Sequence, residues 1–225
     1  MAVAIALLWK DVRCEMRNGS ILLPLVAQTI LVVSLLGLGV AGFVGSAERL
    51  RALFHPIVWS VFLLSGALAL LRVFESDRKA GVLQSCFIYE KDVVWVFLEK
   101  VIFLAGLLLL NHFVAATFLS MMFDVSIASI LPEFCVLSIL VTTGYSALGA
   151  LVGAMLFQHA LRNVLIPAVF LPLLFPFVLA VTEISVVLAE SGSLLQAGNW
   201  LTLVFALTFF YLICGVLFFE SAVRQ

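Results

Sequence analysis

Six stretches of the chain contain no Asp, Glu, Lys or Arg, and each is long enough to cross a lipid bilayer as a helix. An α-helix rises ~1.5 Å per residue and the hydrocarbon core is ~30 Å thick, so about 20 apolar residues span it. A transmembrane barrel would show shorter segments of alternating polarity. The pattern therefore predicts an all-α membrane protein with six transmembrane helices. The charge-free stretches are residues 18–47, 52–71, 101–123, 134–161, 163–182 and 191–219.

The connectors between these stretches are too short to hold a soluble domain. Residues 1–225 are therefore expected to form a single transmembrane domain. In the fourth span, Gly149 and Gly153 are spaced for close contact with another helix. In the fifth, Pro167, Pro172 and Pro176 each remove a backbone donor, which predicts a kinked or broken helix. The expected spans cover about 21–43, 54–73, 94–119, 134–157, 163–183 and 199–219.

A shorter helix is predicted before the first span, at about residues 4–17. Its apolar positions recur at helical spacing, and its basic positions lie on the other side. A basic amphipathic helix before a span is typical of a segment that lies in the headgroup plane. The Asn18-Gly19-Ser20 sequence is expected to end it. The apolar positions are Ile5, Leu8, Trp9, Val12 and Met16, and the basic positions are Lys10, Arg13 and Arg17.

Composition agrees with a membrane protein and adds a topology. The chain is 64% hydrophobic and 11% charged, whereas soluble domains are roughly 25% charged. Six spans place both termini on one side, and ten of the twelve Lys and Arg residues lie on that side. Only Arg49 and Arg51 lie on the other. Since basic loops stay in the cytoplasm, both termini are predicted to be cytoplasmic.

The connector at residues 72–92, between the second and third spans, is the most polar part of the chain. A loop that only joins two helices needs about two to eight residues, so this connector is either a solvated loop or a short surface helix that docks a cytoplasmic partner. The second interpretation makes residues 74–92 a coupling segment. Its candidate contact residues are Glu75, Asp77, Arg78, Lys79, Gly81, Leu83 and Gln84.

The order of these features resembles the permeases of ABC-2-type exporters. The fuller match is to the CcmB family, heme exporter protein B of cytochrome c maturation. The similarity covers nearly the whole chain, although Gln84 stands where the family commonly has an acidic residue. It rests on the sequences Trp9-Lys10-Asp11-Val12-Arg13, Ile57-Val58-Trp59, Phe74-Glu75, Asp77 to Gly81, Glu99-Lys100-Val101 and Leu171-Pro172-Leu173-Leu174-Phe175-Pro176.

The resemblance implies a permease subunit of a multi-pass complex in the bacterial inner membrane, or in an organellar inner membrane. Its expected partners are the ATPase CcmA, the heme-handling protein CcmC, the small subunit CcmD and the heme chaperone CcmE. In that complex, ATP hydrolysis would drive heme delivery or release of the heme-loaded chaperone. Spans one, two and five would move. Heme would be handled by the complex, and the resemblance leaves open whether this chain itself carries heme across the membrane.

The chain lacks the motifs of an enzyme. It contains no GxxxxGK[ST] phosphate-binding loop, no HExxH and no GxSxG. ATP is therefore expected in a partner chain, with no catalytic residue and no metal site here. The four cysteines have no metal-ligand spacing, and no nucleic-acid-binding signature is present.

Two histidines are candidate heme ligands. His55 is predicted near the outer end of span two and His112 in the outer half of span three. Either imidazole has the chemistry of an axial ligand, but a packed, hydrogen-bonded histidine is the simpler interpretation. Two other functions also stay open: an ABC-2 permease for a lipid, glycan or drug, and a membrane assembly subunit without a transport role.

Overall fold

Eight α-helices follow one another in the computed structural model, which describes residues 2–44, 46–79, 93–156 and 161–223. Six of them, α2 and α4 to α8, are long and apolar enough to cross a membrane. Within the described ranges the backbone has no strand. The all-α class with six span-forming helices is thus confirmed. The helices are α1 (Ala2–Asn18), α2 (Leu22–Phe43), α3 (Ala47–Ala52), α4 (Phe54–Lys79), α5 (Val93–Phe123), α6 (Leu131–Met155), α7 (Arg162–Ser191) and α8 (Gly198–Val223).

Several helices continue beyond the segments expected to cross the bilayer. The helix α5 extends to Phe123, and α7 extends to Ser191. A helix satisfies its own backbone hydrogen bonds, so it need not end where the hydrocarbon ends. Gly192 ends α7 in the left-handed conformation (φ 68°) and donates its N–H to the Leu188 carbonyl oxygen, which is the usual role of a glycine after a helix.

The centre of the bundle is formed by α4, α5 and α6. These three helices are the most buried of the six, and α5 contacts α1, α2, α4, α6 and α8. The outer helices α2, α7 and α8 expose large apolar side chains such as Leu35, Phe175 and Phe209. Large exposed apolar surfaces are rare on soluble monomers, and here they face outward from helices long enough to span a membrane.

Helices α4 and α6 approach closely at two glycines. A Cβ atom on Gly149 would meet Leu70, and one on Gly153 would meet the ring of Phe74. Both contacts join α6 to α4, so the glycine spacing did identify a packing face. Only a residue without a side chain fits at Gly153 unless Phe74 moves.

The proline helix α7 is continuous from Arg162 to Ser191, with all three prolines inside it. The helix is therefore not broken at the prolines, and the predicted kink stays a prediction.

Two long-range hydrogen bonds attach α7 to its neighbours. Trp59 of α4 donates its ring N–H to the Ser185 hydroxyl at 2.5 Å. Tyr211 of α8 donates to the carbonyl oxygen of Leu173 at 2.7 Å.

Candidate functional site

A buried carboxylate joins α1 to the start of α2. The helix α1 ends at Asn18, and Gly19 turns the chain with a left-handed backbone (φ 55°). The Glu15 carboxylate then accepts hydrogen bonds from the backbone N–H groups of Ile21 and Leu22, at 2.9 and 2.6 Å. These donors have no partner within α2, and the positive end of the helix dipole favours the negative charge. Glu15 therefore fixes the angle at which α2 leaves α1.

A second carboxylate joins α1 to α5. Asp11 contacts Lys100 at 2.6 Å and Lys10 at 2.7 Å, and Lys100 also lies 3.5 Å from Glu99. The Lys100 side chain is only 3% exposed. Burial alone would raise the pKa of Asp11, but Lys100 and then Lys10 outweigh it and hold that pKa below its ordinary value. Asp11 thus stays ionised and paired across the physiological pH range.

Together, Asp11 and Glu15 form what we call the α1 clamp. Apolar packing supports it, because Leu7, Leu8 and Val12 pack against the buried core. The clamp fixes α1 to the first and third membrane-capable helices at once.

The apolar face predicted for α1 is divided in the structure. Leu8 and Val12 are half-buried against the bundle. Ile5, Trp9 and Met16 are 60%, 62% and 84% exposed. The basic positions Lys10, Arg13 and Arg17 are exposed as well. The placement of α1 in the headgroup plane stays a prediction.

The predicted coupling segment begins within α4. Glu75 is exposed in the last turns of that helix. Asp77, Arg78 and Lys79 complete the helix. Gly81, Leu83 and Gln84 lie outside the described residues. The helix α5 begins at Val93, seven residues before Lys100, the partner of Asp11 in the clamp. The two ends of the connector and α1 therefore belong to the same end of the bundle.

The two candidate heme ligands lie in one aromatic cluster towards the opposite end of the bundle. His112 of α5 is stacked between Trp59 of α4, with ring centroids 4.5 Å apart, and Phe134 of α6, at 5.3 Å. Phe62 meets His112 edge-on at 5.3 Å. The ring centroids of His55 and Phe134 lie 6.4 Å apart. This buried histidine cluster joins the three central helices.

The polar atoms of the cluster are buried among apolar neighbours. No described residue offers a hydrogen-bond partner to either ring nitrogen of His112, to Nδ1 of His55 or to the side chain of Asn111. His112 is fully buried. A nearby cavity on the other side of Trp59 and Phe62 measures only about 10 Å³, roughly the room of one water molecule, and neither histidine lines it. In this packing His112 cannot bind a porphyrin, so a contact with heme would require α4 to separate from α5 and α6.

The described residues also show no group of three or more His, Cys, Asp or Glu side chains placed to hold a metal ion. Cys14, Cys135 and Cys214 are free thiols.

The clamp was not predicted from the sequence. Asp11 and Lys100 appeared in the sequences that carry the family resemblance, but no contact was predicted for them or for Glu15. Asp11 and Lys100 are 89 positions apart, and no local pattern relates them. A weak signal did exist, since Lys100 precedes an uncharged stretch and a lysine there needs an acidic partner if it becomes buried.

The comparison with protein families agrees with the architecture. The model of one family, described as CcmB protein, matches residues 2–225. Among curated proteins, none matches the chain. The family match covers the α1 clamp, all six membrane-capable helices and the histidine cluster. The chain belongs to the CcmB protein family, the heme exporter permease component of cytochrome c maturation.

Proposed function

We propose that this permease subunit couples ATP hydrolysis by a separate ATPase to heme delivery, through release of a heme-loaded chaperone. Members of this family are multi-pass, non-catalytic membrane subunits of an ABC transporter system, which implies an ATPase partner.

The observation that carries the proposal is the α1 clamp. A subunit without its own ATPase needs a mechanical connection between its cytoplasmic surface and its membrane helices. Asp11 and Glu15 provide one, because they attach α1 to α5 and α2 by charged hydrogen bonds. Such bonds are about twice as strong as neutral ones, so α1 and the two spans move as one body.

The ATPase is proposed to dock on the segment 74–92, at the same end of the bundle. The docking residues would be Glu75, Asp77, Arg78, Lys79, Gly81, Leu83 and Gln84, with α1 beside them. We propose further that both termini and the connector lie in the cytoplasm, and that the protein lies in the bacterial inner membrane or an organellar inner membrane.

The remaining partners are proposed by family analogy: a CcmC-like heme-handling protein, a CcmD-like small subunit and a CcmE-like chaperone. The buried histidine cluster supports a role on the cargo side. Its unpartnered polar groups gain partners only when the central helices separate, and the same motion would open a path between α4 and α5. His55 and His112 would contact heme only in that open state.

The docking proposal is tested by reversing charges in the connector. Membranes containing the triple variant Glu75→Lys, Asp77→Lys and Arg78→Glu should capture several-fold less ATPase in a pull-down analysed by mass spectrometry. The yield of c-type cytochromes should fall with it. The matched control is Glu190→Lys, an exposed charge reversal at the far end of α7.

Normal ATPase capture together with a normal cytochrome yield in the triple variant would refute the docking proposal. Deletion of the whole chain then separates the cargo alternatives. Selective loss of c-type cytochromes supports heme delivery, whereas their survival alongside a defect in lipid or glycan export contradicts it. If wild-type protein captures no ATPase, coupling itself is wrong.

A further inference from the structure

The surface of α1 is divided lengthwise into three stripes. At 3.6 residues per turn, Leu8, Asp11, Val12 and Glu15 share the side that packs against the bundle, where they are half-buried or buried. The next stripe around the helix is apolar but exposed, and it contains Ile5, Trp9 and Met16. The third stripe carries Lys10, Arg13 and Arg17, all exposed.

The two exposed stripes of α1 contain three basic residues and no acidic residue. Its acidic side chains, Asp11 and Glu15, both belong to the packed stripe and bind Lys100 and the α2 backbone. Lys10 shares Asp11. The Arg13 guanidinium lies 5.7 Å from the ring of Trp9, which joins the basic stripe to the apolar one.

Between these side chains the surface forms a concavity. Its volume is about 440 Å³, and it is lined by Trp9, Lys10, Arg13 and Arg17 together with Ala6 and Cys14. Three cationic side chains at its margin suit a phosphate group, since arginine binds phosphate through paired N–H donors. The indole at one side offers an apolar wall for the first carbons below a headgroup.

We propose that the basic stripe of α1 binds the headgroup of an anionic phospholipid. The apolar stripe enters the acyl boundary beside it, as in other amphipathic helices at a membrane surface. Bound lipid would hold α1 in the headgroup plane while the clamp holds it to α2 and α5. This inference concerns a lipid site and does not depend on the heme cargo.

The observations favour a lipid over a protein partner. Exposed apolar patches mark protein or membrane contacts, and here only residues 19–21 separate α1 from α2, which is long enough to span the bilayer. Ile5, Trp9 and Met16 are all at least 60% exposed, and they follow one line along the helix. A headgroup with its acyl chains is the ligand that satisfies both stripes at once.

The experiment uses the full chain, purified in mild detergent with its native lipids. Bound lipids are extracted and quantified by mass spectrometry for wild type and for the double variant Arg13→Gln, Arg17→Gln. Each basic residue near a membrane surface strengthens anionic lipid binding about fivefold, so the loss of two should lower phosphatidylglycerol retention by roughly 25-fold. Phosphatidylethanolamine retention should stay unchanged.

The matched control is Arg49→Gln, Arg51→Gln, which removes the same charge on the opposite side of the predicted topology. Equal loss of phosphatidylglycerol in both double variants, or full retention in the α1 variant, would overturn the proposal. Loss of ATPase capture with phosphatidylglycerol retained would instead identify a protein-binding surface. If the double variant unfolds, Arg17→Gln alone should still lower phosphatidylglycerol retention.

Discussion

His112 is the residue whose surroundings match its chemistry least well. Its ring is stacked between Trp59 and Phe134 and is fully buried, and no described residue pairs with either nitrogen. A buried polar group without a partner costs about 1–3 kcal/mol. Inside membrane spans, such residues are functional candidates by default. The cost is understandable if another conformation gives His112 a partner.

This reasoning predicts opposite effects of His112→Phe on stability and function. A phenyl ring keeps the stack and removes the two unpaired nitrogens, so the Tm of the detergent-purified protein should be unchanged or higher. The yield of c-type cytochromes should fall several-fold, because the open state loses its polar contact. A Tm lower by several degrees, or a normal cytochrome yield, would contradict this account of His112.

The unusual residues could be recognised in the sequence, but the side chains that they contact could not be predicted from it. His55 and His112 were recognised as unusual within apolar stretches. That Phe134, from a third helix, contacts both rings depends on how α4, α5 and α6 pack. Local hydrophobic patterns specify which residues are apolar, and they leave the rotation of each helix open.

Among the contacts between helices, the α1 clamp contains a titratable group, the carboxylate of Asp11. The pKa of Asp11 is lowered in the folded protein, since Lys100 and Lys10 outweigh the effect of burial. A carboxylate with a lowered pKa stabilises the fold above its ordinary pKa, and this contribution is lost as the pH falls through the folded value.

Asp11→Asn should therefore lower the Tm at neutral pH, by an amount equivalent to about 1–3 kcal/mol for a charged hydrogen bond. The difference from wild type should stay constant from pH 8 to about pH 5, and it should shrink in stronger acid as the pH falls from the ordinary pKa of an aspartate through the lowered pKa of folded Asp11. Thermal unfolding followed across this pH range measures it. A difference that peaks in acid would contradict the sign of the Asp11 pKa shift.

The contact between α4 and α6 yields a second prediction at this scale. Gly153→Ala forces a methyl group against Phe74, and overpacking of this kind costs about 1–3 kcal/mol. The Tm should fall by several degrees. Gly106→Ala is the control, because a Cβ atom at that helical glycine meets nothing within 4 Å. Equal Tm values for the two variants would mean that the close approach is unimportant.

For the whole molecule, the distribution of basic residues predicts a membrane topology with both termini in the cytoplasm. Cys14 lies on the exposed surface of α1, so in a variant that keeps only this cysteine, a membrane-impermeant thiol reagent should label it only after the cells are opened. Ser46→Cys, placed in a background without the native cysteines, should label in intact cells or spheroplasts. The reverse pattern would place the termini outside.

Much of the architecture could be predicted from the charge-free stretches, because the bilayer requires long apolar helices with satisfied backbones. The family could be recognised from ordered motifs along the whole chain. The clamp could not, since Asp11 and Lys100 meet only after α1 folds back onto α5. The proline helix α7 also illustrates a limit: breakage was one expectation from Pro167, Pro172 and Pro176, yet the helix is continuous.

The most direct test of coupling through the α1 clamp is the cytochrome yield of Asp11→Asn in cells that contain the partner ATPase. We expect normal membrane levels of the protein, normal ATPase capture, and a several-fold lower yield of c-type cytochromes, because the ATPase docks but α5 no longer follows α1. A wild-type yield of c-type cytochromes from this variant would contradict it.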